Sequence, residues 1–200
     1  EQAAPYACSG LTAYAALKKL APLHPDDSVL IIGAGGVGLS GVRFARHVLG
    51  VSPIVADIDQ AKWPLALEAG ATRAIDPSDP DAGKALMKAT GGGVHAVVDF
   101  VGTGESFAFG FNALRKGGKL VSVGLIGGST PVTPAVVVFK AVTIVGSMVG
   151  TCGELRELLE IAQKGVLPPL PVQKLPLDSV NDVLARLHEG RFPGRAVLTP

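Results

Sequence analysis

Val29-Leu30-Ile31-Ile32-Gly33-Ala34-Gly35-Gly36-Val37-Gly38 is an apolar run that passes directly into a G-x-G-x-x-G pattern. A helix-forming stretch, Leu39 to Leu49, comes next, with Gly50 just past its end. A second apolar run, Ile54-Val55-Ala56, closes on Asp57. The order is strand, glycine turn, helix, strand, acid, and each part has a physical task. Gly33 permits the tight turn off the strand, Gly35 lets backbone approach a pyrophosphate, and Gly38 lets the helix lie close on the sheet. The free N–H groups and positive dipole end of the helix then meet the phosphates. Asp57 stands about 20 residues beyond the last glycine, where a carboxylate accepts hydrogen bonds from an adenosine ribose. A glycine turn alone would say little. Framed by strand, helix and acid, it points to a bound dinucleotide.

The composition suits one large α/β unit with a proper core. Of 200 residues, 48% are apolar and 18% charged, with a formal net charge of +1. That balance excludes a disordered chain, and the scattered basic residues leave no stripe for nucleic acid. The two cysteines, Cys8 and Cys152, lie far apart, which implies no disulfide framework and favours a reducing compartment, the cytoplasm. Pro131 to Val149 is apolar but broken by Lys140 and prolines, so no membrane span is expected. The first residues carry no signal-peptide pattern and read as the middle of a longer protein.

Outward from the glycine turn, strands and helices alternate. Leu11, Tyr14-Ala15 and Lys18 recur at helical spacing. Asp59 can cap a helix that Pro64 should kink or delay, and Glu68-Ala69-Gly70-Ala71 ends it. Ala74-Ile75 predicts a short third strand, and Asp81 to Thr90 a helix with Ala85, Leu86 and Ala89 inward. Ala96 to Phe100 is almost continuously apolar, as in a parallel strand covered on both faces. A helix from Glu105 to Leu114 leads to a fifth strand, Lys119 to Gly124. Pro131 to Phe139 reads as loop or a helical turn, and Val142 to Ser147 as the sixth strand. Glu154 to Lys164 is helical, and Val166 to Pro176 is proline-rich and extended. Asp178 is expected to cap a last helix with Val180, Val183-Leu184 and Leu187 inward. Arg195 to Thr199 reads as a strand with no partner in the completed sheet. Gly41 should allow close packing on the sheet, and His47 reads as a solvated helix residue.

This pattern predicts an α/β fold, a doubly wound six-stranded parallel sheet with helices on both faces and right-handed crossovers. Ligands of such sheets sit at the carboxyl ends of the strands. The expected crevice is therefore bounded by Gly33–Gly38, Asp57, Phe100-Val101-Gly102 and Val123-Gly124-Leu125.

The assembled motifs resemble the cofactor-binding half of the zinc-dependent, medium-chain alcohol dehydrogenases, whose fold is of the Rossmann type. The resemblance runs from Cys8 to Thr199. It is carried by Cys8-Ser9-Gly10-Leu11-Thr12-Ala13-Tyr14, the glycine turn, Asp57-Ile58-Asp59 with Lys62, and Glu68-Ala69-Gly70-Ala71-Thr72. Leu114 to Gly118, Val123-Gly124-Leu125, Ile144 to Gly150 and Gly194-Arg195-Ala196-Val197 add to it. Residue by residue, the resemblance implies that Gly36 and Val37 offer N–H groups to the pyrophosphate. It implies that Asp57 binds the adenosine ribose with help from Lys62, and that Ile58 and Phe100 flank adenine. Val101 would approach the nicotinamide ribose and Thr12 would pack on the nicotinamide. Backbone at Val123, Leu125 and Val145 would hold the carboxamide, and Arg195 would reach the pyrophosphate from the tail. Asp57 followed by Ile58, with no arginine beside it, favours NAD over NADP.

Cys8 matches a ligand of the family's catalytic zinc, which needs about three protein ligands. His24, His47, His95 and His188 stand in unremarkable contexts, so the remaining ligands are expected on a catalytic domain not represented in these residues. The chain thus reads as a domain of a longer parent. Residues 1–25 link to the missing domain, 26–165 form the NAD-binding unit, and 166–200 return toward the missing half. Such a chain is expected to bind NAD(H) without turnover. The parent would act on a small alcohol, aldehyde or ketone and pair as a homodimer or tetramer through the sixth strand. Other readings are a zinc-free quinone or enoyl reductase, a methyltransferase and a non-catalytic NAD-binding module. Cys8 and Asp57 speak against the first. The third glycine, Gly38, speaks against the second.

Overall fold

A computed structural model describes residues 3–192 and 194–200. A short 3-10 turn at Ala4–Ala7 leads into helix α1 (Ser9–Lys18), then strand β1 (Val29–Ile32), α2 (Gly36–Leu49) and β2 (Ile54–Ala56). α3 (Trp63–Glu68), β3 (Arg73–Ile75), α4 (Ala82–Ala89), β4 (Val94–Asp99), α5 (Gly104–Ala113) and β5 (Leu114–Ser122) continue the alternation. α6 (Pro134–Lys140), β6 (Thr143–Gly146), α7 (Cys152–Gln163), β7 (Val172–Pro176), α8 (Val180–His188) and β8 (Arg195–Thr199) complete it.

The main sheet has 6 strands in the order β3-β2-β1-β4-β5-β6, and every pairing in it is parallel. The reversal of direction falls between β1 and β4, the place where an open parallel sheet leaves a crevice. Strand alternation sorts the core onto two faces. Val29, Ile31, Ala96 and Val98 pack with Leu39, Val42 and Phe44 of α2, while α1 and Leu158 of α7 add a further layer. Leu30, Ile32, Val97 and Leu120 pack on the other face with Leu86 of α4 and Phe111 of α5. Helices therefore cover both faces, as expected. Gly41 belongs to this packing, since a Cβ there would come 2.8 Å from the Phe100 ring.

Several local expectations are corrected. β8 is not left without a partner: it pairs in parallel with β7, from Val172↔Arg195 to Pro176↔Thr199. Its partner lies in the proline-rich stretch, with Pro171 just before the strand and Pro176 at its last position. β5 begins at Leu114 rather than Lys119, with a register shift opposite Val94 and Ala96. Pro131 to Phe139 holds a true helix, α6, started by Pro134 in its first turn. On α4 the inward residues are Ala82 and Leu86, and Ala85 and Ala89 are exposed. On α8 only Val183 is buried, and Leu184 and Leu187 are 57% and 44% exposed. Asp178 does not cap that helix. It lies inside a 3-10 turn, Leu177–Ser179, which precedes it. Pro64 delays its helix as foreseen, standing in the first turn of α3 behind a 3-10 turn whose Ala61 N–H Asp59 accepts. At the far edge, Lys19 Nζ donates to Gly146 O at 3.2 Å and Ser147 Oγ at 2.9 Å, which ties the end of β6 to α1.

Candidate functional site

The glycine turn is shaped by what surrounds it. Gly33 has φ +93°, and a Cβ there would lie 2.8 Å from Val101 Cγ2. Gly38 packs so tightly on the Gly33 carbonyl that no side chain fits between them. Gly35 is the N-cap of α2, has nothing within 4 Å of a Cβ position, and leaves the helix without a side-chain cap. The first N–H groups of α2 are therefore open to an anion. Gly36 is covered from the other end of the chain. A Cβ at Gly36 would meet Arg195 Cδ at 2.5 Å, Gly194 O at 2.8 Å and an Arg195 guanidinium nitrogen at 3.1 Å. Gly194, at φ +77°, turns the tail onto this spot, and the Arg195 N–H donates to Pro171 O at 2.8 Å. A cation on an anchored stretch of backbone thus stands beside the positive end of a helix, and both favour phosphate.

Asp57 follows β2. The residue is 8% exposed; one carboxylate oxygen accepts the Ala34 N–H at 2.7 Å and the other the Asp59 N–H at 2.8 Å. Two oxygens offer about four acceptor sites, so both can still take a hydroxyl hydrogen. Lys62 Nζ stands 4.0 Å from Asp57 and 3.4 Å from Asp59. The indole N–H of Trp63 donates to Asp57 O at 3.0 Å and fixes the backbone behind the carboxylate. The neighbouring Ile58 is 71% exposed.

Between these groups opens a hollow of about 580 Å³, lined by Gly33, Asp57, Ile58, Val101, Thr103, Phe109 and Ile126 among others. Its walls are mostly apolar, with two carboxylates, Asp57 and Glu105, in the lining. Phe100 is placed differently from the expectation. Its ring lies on the α2 side against Gly41, and Val101 is the residue that shares the hollow with Ile58. The strand's alternation is the reason: Phe100 follows Ala96 and Val98 onto one face, and Val101 follows Val97 onto the other.

The turn after β4 depends on Asp99, to which the sequence reading gave no role. It is fully buried, accepts the Val101 and Gly102 N–H groups at 2.9 and 3.0 Å, and receives the Ser106 hydroxyl at 2.8 Å. Its backbone oxygen also accepts the Val123 and Gly124 N–H groups. Gly102 and Gly124 press together so closely that neither tolerates a side chain. A signal was available: an acid closing an apolar strand and followed by Phe-Val-Gly-Thr-Gly. Thr103 and Ser106 then form a reciprocal capping box on α5.

Thr12, Val123, Leu125 and Val145 do not line the hollow. Thr12 lies on α1, half-buried. Leu125 is 80% exposed beyond β5, and Val145 lies in the edge strand β6. Cys8 is exposed at the N-cap of α1, and Cys152 is exposed at the start of α7. Among the described residues no three His, Cys, Asp or Glu side chains come together as a metal site. Cys8 is one thiolate where zinc takes about four ligands. The described residues therefore do not by themselves fit a zinc ion.

Residues 36–164 match the family of zinc-binding dehydrogenases. An alcohol dehydrogenase of Geobacillus stearothermophilus is 36% identical over 198 residues, which cover 99% of this chain and 58% of that protein. An NAD-dependent alcohol dehydrogenase of Sulfolobus acidocaldarius is 36% identical over 198 residues, covering 98% of this chain and 57% of that one. The crystal structure of the alcohol dehydrogenase of Aeropyrum pernix superimposes with a TM-score of 0.91 at 37% identity, over 98% of this chain and 57% of its own. The chain thus spans a little over half the length of the relatives it matches.

Proposed function

Because the chain belongs to the zinc-binding dehydrogenase family, we propose that it forms the NAD(H)-binding part of an enzyme that moves hydride between NAD(H) and a small alcohol, aldehyde or ketone. Residues 26–165 are the cofactor-binding unit in this reading. The observation that carries it is Asp57, held by the N–H of Ala34 in the glycine turn and flanked by Ile58 instead of an arginine. The carboxylate takes the two ribose hydroxyls and repels a 2′-phosphate, so NAD is preferred to NADP.

Bound there, NAD supplies the hydride acceptor, and the chain's own residues hold it in place. The N–H groups of Gly36 and Val37, with Arg195, take the pyrophosphate. Ile58 and Val101 enclose the adenine, with Lys62 supporting Asp57 from behind. The turn fixed by Asp99, with Gly102, Val123, Gly124 and Leu125, guides the cofactor's other half toward Val145 and Thr12. Positioning of this kind turns a collision into a reaction within one complex. A zinc ion, if Cys8 ligates one, draws its other ligands from outside these residues, and the 200-residue polypeptide alone holds NAD(H) without turnover. We assign the protein to the reducing cytoplasm and to a dimer or tetramer joined through the edge of β6, where Ile144 is 41% exposed.

Isothermal titration of the chain with NAD+ and NADP+ tests the proposal. NAD+ is expected to bind and NADP+ to bind at least tenfold more weakly, a difference of about 1.4 kcal/mol. Equal or tighter binding of NADP+ would remove it.

A further inference from the structure

The hollow beside Asp57 does not end at its far wall. Pro77, Ser78 and Phe109 line it, and the same three residues line a second, open groove of about 650 Å³ between α4 and α5. The groove is finished by Pro80, Gly83, Met87 and Ala113, with Lys84, Asp79 and Asn112 at its borders. Met87 is 36% exposed on its floor.

The order of the two cavities follows the order of a nucleotide. Phosphate belongs at Gly36 and the ribose at Asp57, so the base lies beyond Asp57, away from the phosphates. The wall it reaches there is Pro77, Ser78 and Phe109, the boundary with the groove. A purine whose amine-bearing edge is turned away from the ribose toward this wall would present that edge to the opening. A flat apolar group on that nitrogen can pass between Ser78 and Phe109 and settle against Met87 and Pro80.

We propose that the groove between α4 and α5 is a subsite for an aryl substituent on the purine amine, so that the protein takes N6-aryl-substituted adenine dinucleotides in preference to the plain ones. The inference rests on the NAD(H) reading of the hollow. Removing about a quarter to a third of a benzyl group's surface from water is worth roughly tenfold in affinity.

The test uses N6-benzyl-NAD+ and NAD+ in parallel, by titration calorimetry, on the chain and on two variants. Gly83→Phe fills the groove, and a Cβ at Gly83 meets no atom within 4 Å, so α4 accommodates it. Met87→Glu places a charge on the groove floor. The expected result is about tenfold tighter binding of the benzyl compound, abolished in both variants, with NAD+ affinity unchanged. Benzyl-NAD+ binding no tighter than NAD+ overturns the subsite while leaving the dinucleotide reading intact. A preference that survives in both variants overturns it too, because the ring then sits elsewhere. Failure of NAD+ itself to bind overturns both readings.

Discussion

The Asp57 carboxylate accepts the N–H of Ala34 at 2.7 Å, joining the end of the second strand to the loop after the first. One buried acid therefore shapes the glycine turn and, in the function proposed above, takes the ribose. Asp57→Asn tests both tasks. An amide keeps one acceptor and loses the charge, and hydrogen bonds to charged groups are worth about 1.5–3 kcal/mol. NAD+ affinity is expected to fall roughly tenfold to a hundredfold, and the margin against NADP+ to narrow. Calorimetry with both cofactors reads the two effects.

Two adjacent glycines separate folding from binding. A Cβ at Gly35 meets nothing within 4 Å, whereas at Gly36 it meets Gly194 O at 2.8 Å. Gly35→Ala is expected to leave the melting temperature within a degree or so and still weaken NAD+, since its methyl stands where the pyrophosphate approaches. Gly36→Ala is expected to lose about 1–3 kcal/mol of stability as well, the usual cost of overpacking. Thermal melts with and without NAD+ distinguish the two.

Arg195 stands over the start of α2 through its guanidinium. Arg195→Ala should weaken NAD+ by roughly tenfold while leaving adenosine binding unchanged, as a lost charge-assisted bond to phosphate would. The deficit should shrink as salt rises, because the removed interaction is a screened one. A loss that is the same for adenosine would count against it.

Asp99 offers a harder change. With no exposure and three donors on its carboxylate, Asp99→Ala leaves the Val101 and Gly102 N–H groups unpaired, while the Ser106 hydroxyl falls back on Thr103 O. About 3 kcal/mol of stability should go, read by urea unfolding. Ser106→Ala removes one donor and should cost about 1 kcal/mol.

Acid should loosen α7. The Thr151 N–H donates to Glu154 at 2.7 Å and holds its carboxyl below the ordinary 4.5. A depressed carboxyl stabilises the fold above its unfolded value, and that stability drains away as pH falls through the folded value. Melting temperature should therefore drop below about pH 4.5, and Glu154→Gln should flatten that part of the profile. An unchanged slope in the variant would assign the acid loss to other groups.

The stretch from Val29 to Asp57 was legible because three independent signals agreed: an apolar run, obligatory glycines and a spaced acid. Other elements were less so for physical reasons. Ala85 and Ala89 have too little side chain to declare a face, and the structure exposes both. The partner of β8 was hidden by prolines that usually argue against strands. Phe100 reads as a flank for adenine and Val101 as an approach to the nicotinamide ribose, but the alternation continued from β4 puts Val101, not Phe100, on the face of the hollow. Asp99 carries little sequence signal of its own because the work of its carboxylate is internal, with that carboxylate's partners within seven residues on a turn that has no periodicity.

The cover that Gly194 and Arg195 place over Gly36 also has a consequence in time. A polypeptide leaves the ribosome from its amino end, so the glycine turn emerges long before the tail that completes its phosphate site. The growing chain can build β1, α2 and β2 and still lack a cation where the pyrophosphate goes. In the NAD(H)-binding reading proposed above, full grip on the pyrophosphate thus waits until synthesis has passed Arg195, well after the glycine turn has formed.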